Sequence, residues 1–152
     1  MTMTRRSLHT IVLMVALISA ANVSAQRQAR ERFDPDGSFW IQGTAPNEFS
    51  DFGSINLNAK KMRYLPSPGL QLNTGKNFRF KTLIVKKENF KFTTVAVQGV
   101  SYSFSGHFLR GGVFGAGDLD DQTPVLEGVL TKYKSGQKIA EANLKFTYFG
   151  GT

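Results

Sequence analysis

Apolar and polar side chains alternate with a period of two along most of this chain. In SYSFSGHFL, residues 101–109, Tyr102, Phe104 and Phe108 fall on one face and the serines fall on the other. Successive side chains of a β-strand point to opposite faces, so such a run predicts a strand with one buried and one wet face. No convincing helical period follows residue 37, so the pattern predicts an all-β fold.

Short turn signals separate these runs and predict how the strands pair. Seven runs are the candidate strands: residues 38–44, 54–62, 78–85, 90–98, 100–110, 127–134 and 138–149. The segment 65–69 carries Pro and Gly, residues 86–89 are of hairpin length, and Ser135-Gly136 closes the last hairpin. We therefore predict a small antiparallel up-and-down barrel of about seven or eight strands, with a β-sandwich as the alternative. A barrel is favoured because closure removes exposed strand edges.

The N-terminal residues have the three parts of a secretory signal. Arg5 and Arg6 precede an apolar run at 11–21, and Val23 and Ala25 form a small-residue cleavage site. The apolar run is too short to span a bilayer. We predict a signal peptide at 1–25 and an exported protein, either periplasmic or secreted; an uncleaved N-terminal anchor is the alternative.

Cleavage after Ala25 would leave one domain. Residues 26–36 are predicted to be a polar N-terminal arm, and 37–152 a single β domain with enough chain for one core. Cleavage would remove two of the 19 basic residues and no acidic residue, which leaves a net charge of +6. The chain has no cysteine, which excludes a catalytic thiol, a lipoprotein anchor and Cys-ligated metals. No second apolar run has membrane length, so the mature chain is predicted to have no transmembrane segment.

Enzyme chemistry has little support in the sequence. His107 is the sole histidine after residue 25. Residues i and i+2 of a strand are roughly 6.5–7 Å apart, so Ser105 and His107 cannot form a nucleophile–base pair within one strand. No G-x-S-x-G motif marks another serine. We predict no enzyme site; a hydrolase assembled across strands is a distant alternative.

A metal site has one weak candidate. Asp118, Asp120 and Asp121 lie in a Gly-rich loop, and oxygen ligands suit Ca²⁺. Their spacing does not match an EF-hand loop, so a polar turn is the preferred interpretation. No cofactor is predicted.

Basic residues alternate with aromatic residues in several runs. If the aromatic side chains point inward, then Arg79, Lys81, Lys91 and Lys145 point outward and form a cationic outer wall. Such a wall suits an anionic envelope component, namely a lipid headgroup, an acidic polysaccharide or an acidic protein. Export argues against nucleic acid as a partner, and outward Lys and Arg side chains disfavour a membrane-spanning barrel.

The thirteen phenylalanines allow two kinds of interior. They could line a cavity for a small apolar ligand, or they could fill a solid core. The leading hypothesis is an exported non-enzymatic binding module of the bacterial cell envelope, holding an apolar ligand inside or an anionic partner outside. Its candidate binding residues are Arg79, Lys81, Lys91, Lys145, His107 and Trp40. The alternative is a structural or interaction protein with a solid core and no ligand.

Overall fold

Nine antiparallel β-strands and one short 3-10 helix make up the part of the chain that the computed structural model describes, residues 33–58, 67–114 and 122–149. The strands are β1 Gly37–Ile41, β2 Phe52–Leu57, β3 Gly69–Leu72, β4 Asn77–Phe78, β5 Phe80–Lys86, β6 Asn89–Thr94, β7 Val100–Phe108, β8 Leu126–Lys134 and β9 Gln137–Phe149. The 3-10 helix spans Asn47–Phe49. The predicted signal peptide, most of the predicted arm, and Asp118, Asp120 and Asp121 lie outside the described residues.

The strand order confirms the up-and-down barrel. The sheet runs β4-β3-β2-β1-β9-β8-β7-β6-β5, so sequential strands are neighbours and the first strand pairs with the last. β1 pairs with β9 through Phe39 and Tyr148, and with β2 through Phe39 and Ile55. The two ends of this order, β4 and β5, are separated along the chain by Arg79 alone. The result is a nearly closed antiparallel barrel.

The count of nine strands, rather than seven or eight, has two causes. β3 begins at Gly69, the last residue of the Pro- and Gly-containing segment 65–69, whose turn signal hides the short strand. The chain from Asn77 to Lys86 is split because its start pairs with β3, where Leu70 faces Phe78, and the rest pairs with β6, where Phe80 faces Thr94. The register shifts between Phe80 and Thr82. Such a bulge bends the strand, which lets one segment pair with two neighbours in succession.

Two tight hairpin turns have the left-handed backbone that their strands require. Gln98 and Gly99 have φ values of 53° and 76°, and Ser135 and Gly136 have values of 50° and 80°. Two positive φ angles in a two-residue turn match the right-handed twist of the flanking strands. Gly99 therefore belongs to a tight turn between β6 and β7.

The barrel interior is packed with aromatic rings. Ten of the thirteen phenylalanines are buried, and rings within the core lie 4.9 to 6.1 Å apart between centroids. On β7, Tyr102, Phe104 and Phe108 are buried, as the alternation predicts. Phe90 and Phe92 of β6 continue the same layer and stack against β7 rings.

The folded unit begins before residue 37. Phe33–Thr152 forms one compact unit. The Phe33 ring lies 5.2 Å from the Phe108 ring and 6.0 Å from the Phe114 ring, and Asp34 forms a β-bridge with Val113. Residues 33–36, which the sequence placed in the arm, thus pack on the barrel because Phe33 adds its apolar ring to the aromatic core.

Tyr102 is the one residue of the described chain with a buried side-chain polar atom that has no hydrogen-bond partner, its phenolic oxygen. Burial, and to a smaller extent the negative charge of Asp51, raise the pKa of Tyr102 from 10.0 to about 12. Both effects disfavour the phenolate, because burial removes its hydration and the carboxylate repels it.

Replacing Tyr102 with phenylalanine should change how stability depends on pH. In the native protein the folded-state pKa of Tyr102 lies above the unfolded value. Its stabilising contribution to the free energy of unfolding is therefore complete below pH 10 and is lost as pH rises toward 12. We expect Tyr102→Phe to lose less stability than the native protein between pH 10 and pH 12, and to be about as stable as the native protein near pH 7. Urea unfolding of both proteins at pH 8 and at pH 11 measures the difference, and equal losses would contradict this assignment.

Candidate functional site

The outer face of β5 to β9 carries a groove lined by hydroxyl groups. Cross-strand pairing sets side chains of five strands in two adjacent rows on this face. One row is Thr82, Thr93, Ser103, Thr131 and Glu141, and the other is Ile84, Lys91, Ser105, Val129 and Asn143. All of these residues except Asn143 line an open groove of about 440 Å³. We call it the hydroxyl groove, defined by Thr82, Lys91, Thr93, Ser103, Ser105, Thr131 and Glu141.

Hydrogen bonds hold the polar groups of the hydroxyl groove in place. The hydroxyl oxygens of Thr82 and Thr93 are 2.7 Å apart. The Thr131 hydroxyl donates a hydrogen bond of 3.1 Å to Oε2 of Glu141, and the Lys138 ammonium donates one of 3.4 Å to the same oxygen. Part of the negative charge of Glu141 is therefore neutralised. Among the described residues Lys91 has no ion-pair or hydrogen-bond partner, which leaves its ammonium available to a ligand.

His107 belongs to a charged row beside the hydroxyl groove. Its Nε2 atom lies 3.3 Å from Oε1 of Glu127, and both side chains are partly exposed. Its register partners are Asn89 and Glu127, and Glu127 in turn faces Lys145. In the described ranges no serine hydroxyl is hydrogen-bonded to this imidazole. The row therefore contains a solvent-accessible pair of His107 and Glu127, and no described serine is positioned beside it as a nucleophile. Glu127 was not singled out from the sequence, because its position opposite His107 depends on the β7–β8 register.

The four basic residues predicted to form one outer wall are all exposed, but they lie on separate parts of the surface. Lys91 lies in the hydroxyl groove, and Lys145 lies three strands away on β9, facing Glu127. Arg79 and Lys81 lie at the bend where the chain passes from β4 into β5. Glu127 and Glu141 share the outer face with Lys91 and Lys145, so the wall carries charges of both signs.

Trp40 lies on a different part of the outer face. Its side chain is 52% exposed and contacts Phe149, whose ring centroid is 5.6 Å away. Beside it is a second groove of about 270 Å³. The described lining residues are Trp40, Gly53, Ser54, Gln71, Leu72, Asn73 and Gly75. The sequence pattern indicated Trp40 but not Gln71 and Asn73. The alternation in GLQL, residues 69–72, was the available signal, and the preceding turn concealed it.

Neither a metal site nor a membrane-spanning helix is found among the described residues. No group of three or more His, Cys, Asp or Glu side chains there is arranged to hold a metal ion. No helix in the same ranges is long and apolar enough to cross a membrane.

Comparison with known proteins provides no further guide to this chain. No family model matches it, and neither does a curated protein or a solved structure.

Proposed function

We propose that the chain is an exported, non-enzymatic binding module of the bacterial cell envelope, which binds an acidic polysaccharide in the hydroxyl groove. The observation that carries this proposal is the ammonium of Lys91, which no described residue pairs with, next to a set of hydroxyl groups on adjacent strands. The signal-like residues 1–25 support export.

The packed interior favours an outer site over an internal one. Rings of Phe90, Phe92, Phe104 and Phe108 contact one another at centroid distances of 5.4 to 5.7 Å. Side chains that fill the space between strands leave a small apolar ligand no room between those rings. We therefore place the partner on the outer face, and an apolar ligand inside the barrel stays an untested prediction.

An acidic polysaccharide matches the groups that the groove presents. A sugar carboxylate would pair with the Lys91 ammonium, and charge-assisted hydrogen bonds are about twice as strong as neutral ones. Sugar hydroxyls both donate and accept, so they fit the hydroxyls of Thr93 and Ser105 and the carboxylate of Glu141. The groove volume of about 440 Å³ lies within the range of small-ligand sites.

Replacing Lys91 with glutamine should weaken binding of polygalacturonate, the probe for an acidic polysaccharide, about tenfold at low salt. This corresponds to roughly 1.4 kcal/mol, since one charge-assisted contact is lost. Isothermal titration calorimetry of the purified chain gives the affinity. The matched control is Lys134→Gln, which removes the same charge from an exposed residue at the end of β8, outside the groove. Equal losses in both variants would show general charge attraction, and no binding by the native chain would overturn the proposal.

A structural or interaction protein of the envelope is the second candidate, and the filled core favours it. Such a protein needs a rigid barrel and no ligand. Absence of polygalacturonate binding, together with co-purification of an envelope protein from the native source, would favour this candidate.

A further inference from the structure

We propose that Trp40, Gln71 and Asn73 form a second binding site, which takes an uncharged saccharide ring. Trp40 would stack on one face of the ring while the two amide side chains bond its hydroxyl groups. This site lies on β1 to β3 and shares no residue with the hydroxyl groove. The proposal therefore stands independently of the proposed function.

An exposed aromatic pair is the first observation. Trp40 is 52% exposed and Phe149 is 44% exposed, and their rings are tilted by 43° at 5.6 Å. Ten phenylalanines of the chain pack inside, so this pair is not left outside for lack of an aromatic core. Exposed apolar side chains that cluster mark interaction surfaces. The Phe149 ring also supports one side of the indole and limits its motion, so less entropy is lost on binding.

A buried hydrogen-bond relay is the second observation. Asn56, 1% exposed, accepts at Oδ1 from the hydroxyls of Ser38 (2.7 Å) and Ser54 (3.1 Å). Its Nδ2 donates to Oε1 of Gln71 over 3.4 Å. Polar side chains are costly to bury unless they are bonded, and this relay bonds three of them. At the surface, this relay orients the Gln71 amide in the groove. No described residue accepts a hydrogen bond from its Nε2 group.

Asn73 supplies the complementary group. Its Nδ2 donates to the carbonyl of Phe52 over 2.9 Å, which leaves Oδ1 as an acceptor. Gly53 lies directly beside it: a Cβ atom there would be 3.2 Å from Oδ1 of Asn73 and 2.9 Å from the carbonyl oxygen of Gln71. A side chain at residue 53 would therefore crowd the groove, and glycine keeps it open.

This combination fits a saccharide. A pyranose ring has an apolar C–H face, which suits the indole, and hydroxyl groups that accept from Gln71 and donate to Asn73. No described lining residue is charged, so the site has no counter-ion for an acidic sugar. The groove is shallow and small, about 270 Å³, so the affinity is expected to be modest, with a Kd of ~1 mM.

Trp40 is the sole tryptophan of the chain, so its fluorescence reports on this site directly. The native chain is titrated with chitotetraose and with cellotetraose, each to about 10 mM, as uncharged probes. We expect a saturable blue shift of the emission with at least one of them, because a stacked sugar excludes water from the indole. Gln71→Ala should weaken that affinity about tenfold, and Gln137→Ala, the same change at an exposed residue of β9, should leave it unchanged.

Two results would overturn the proposal: no saturable shift with either tetrasaccharide, or native affinity in Gln71→Ala. A thermal midpoint for Gln71→Ala within a few degrees of the native one shows that the variant is folded. Calorimetry of Trp40→Ala, which lacks the reporter, should show the same loss of affinity. Polygalacturonate binding in parallel separates the two sites, since failure there concerns Lys91 and leaves the Trp40 result unaffected.

Discussion

Phe108→Ala is expected to lower the free energy of unfolding by about 3–5 kcal/mol, because truncating a buried phenylalanine leaves a cavity. Phe108 is 1% exposed, and its ring contacts those of Phe33, Phe39, Phe90 and Phe114 at centroid distances of 5.2 to 5.6 Å. Small domains are stable by only about 5–15 kcal/mol, so this one change removes a large share.

Urea unfolding, followed by far-ultraviolet circular dichroism, measures this loss. Leu109→Ala is the matched control, since Leu109 is the next residue, lies just past the end of β7 and is 42% exposed; it should change stability by less than about 1 kcal/mol. If Phe108→Ala does not fold, Phe108→Leu keeps most of the volume and should cost less, about 1–1.5 kcal/mol. Similar losses for Phe108→Ala and Leu109→Ala would contradict the placement of Phe108 in the core.

Gly106→Ala and Gly128→Ala should each lower stability by about 2–3 kcal/mol, through overpacking rather than cavity formation. The two glycines face each other on β7 and β8, and the Phe104 ring lies over both. A Cβ atom on Gly106 would clash first with the backbone carbonyl oxygen of Glu127, and would be 2.6 Å from Cζ of Phe104. A Cβ atom on Gly128 would clash first with Cα of Gly106, and would be 2.7 Å from the same ring atom.

The overpacking prediction has a matched control a few residues further along the chain. A Cβ atom on Gly111 would have no neighbouring atom within 4 Å, and the φ angle of Gly111 is not positive, so Gly111→Ala should be neutral or slightly stabilising. Urea midpoints for the three variants give the comparison. A neutral Gly106→Ala would mean that β7 and β8 can separate locally without losing the Phe104 contacts. Because the backbone of β8 is the nearest obstacle, Phe104→Leu combined with Gly106→Ala should recover only the part of the loss that the ring causes.

On β6 and β7 the period-two alternation predicted which residues are buried. Phe90 and Phe92 are buried on β6, and Lys91 between them is exposed. This direction is local: neighbouring side chains of a strand point to opposite faces whatever the rest of the chain does. Short turns predicted antiparallel neighbours for a similar reason, since a two-residue connection leaves the next strand no other place to pair.

The two outer grooves were much harder to predict from the sequence. Thr82, Thr93, Ser103 and Thr131 become one row only when four strands pair in a particular register, and a shift of one residue would turn each to the other face. The basic residues show the same limit, because alternation predicted that Lys91 and Lys145 point outward but not that Glu127 faces Lys145. The exposure of a side chain was predictable, whereas its neighbours on the next strand were not.

The sequence by itself determined the all-β class, the inward and outward faces of the strands, and the up-and-down order. Each of these depends on residues a few positions apart. The tertiary structure alone decided the closure through Phe39 and Tyr148, the bend at Arg79, and the relay from Ser38 through Asn56 to Gln71. Those features join residues far apart in the chain, and their pairing is selected by the packing of the whole aromatic core rather than by any local preference.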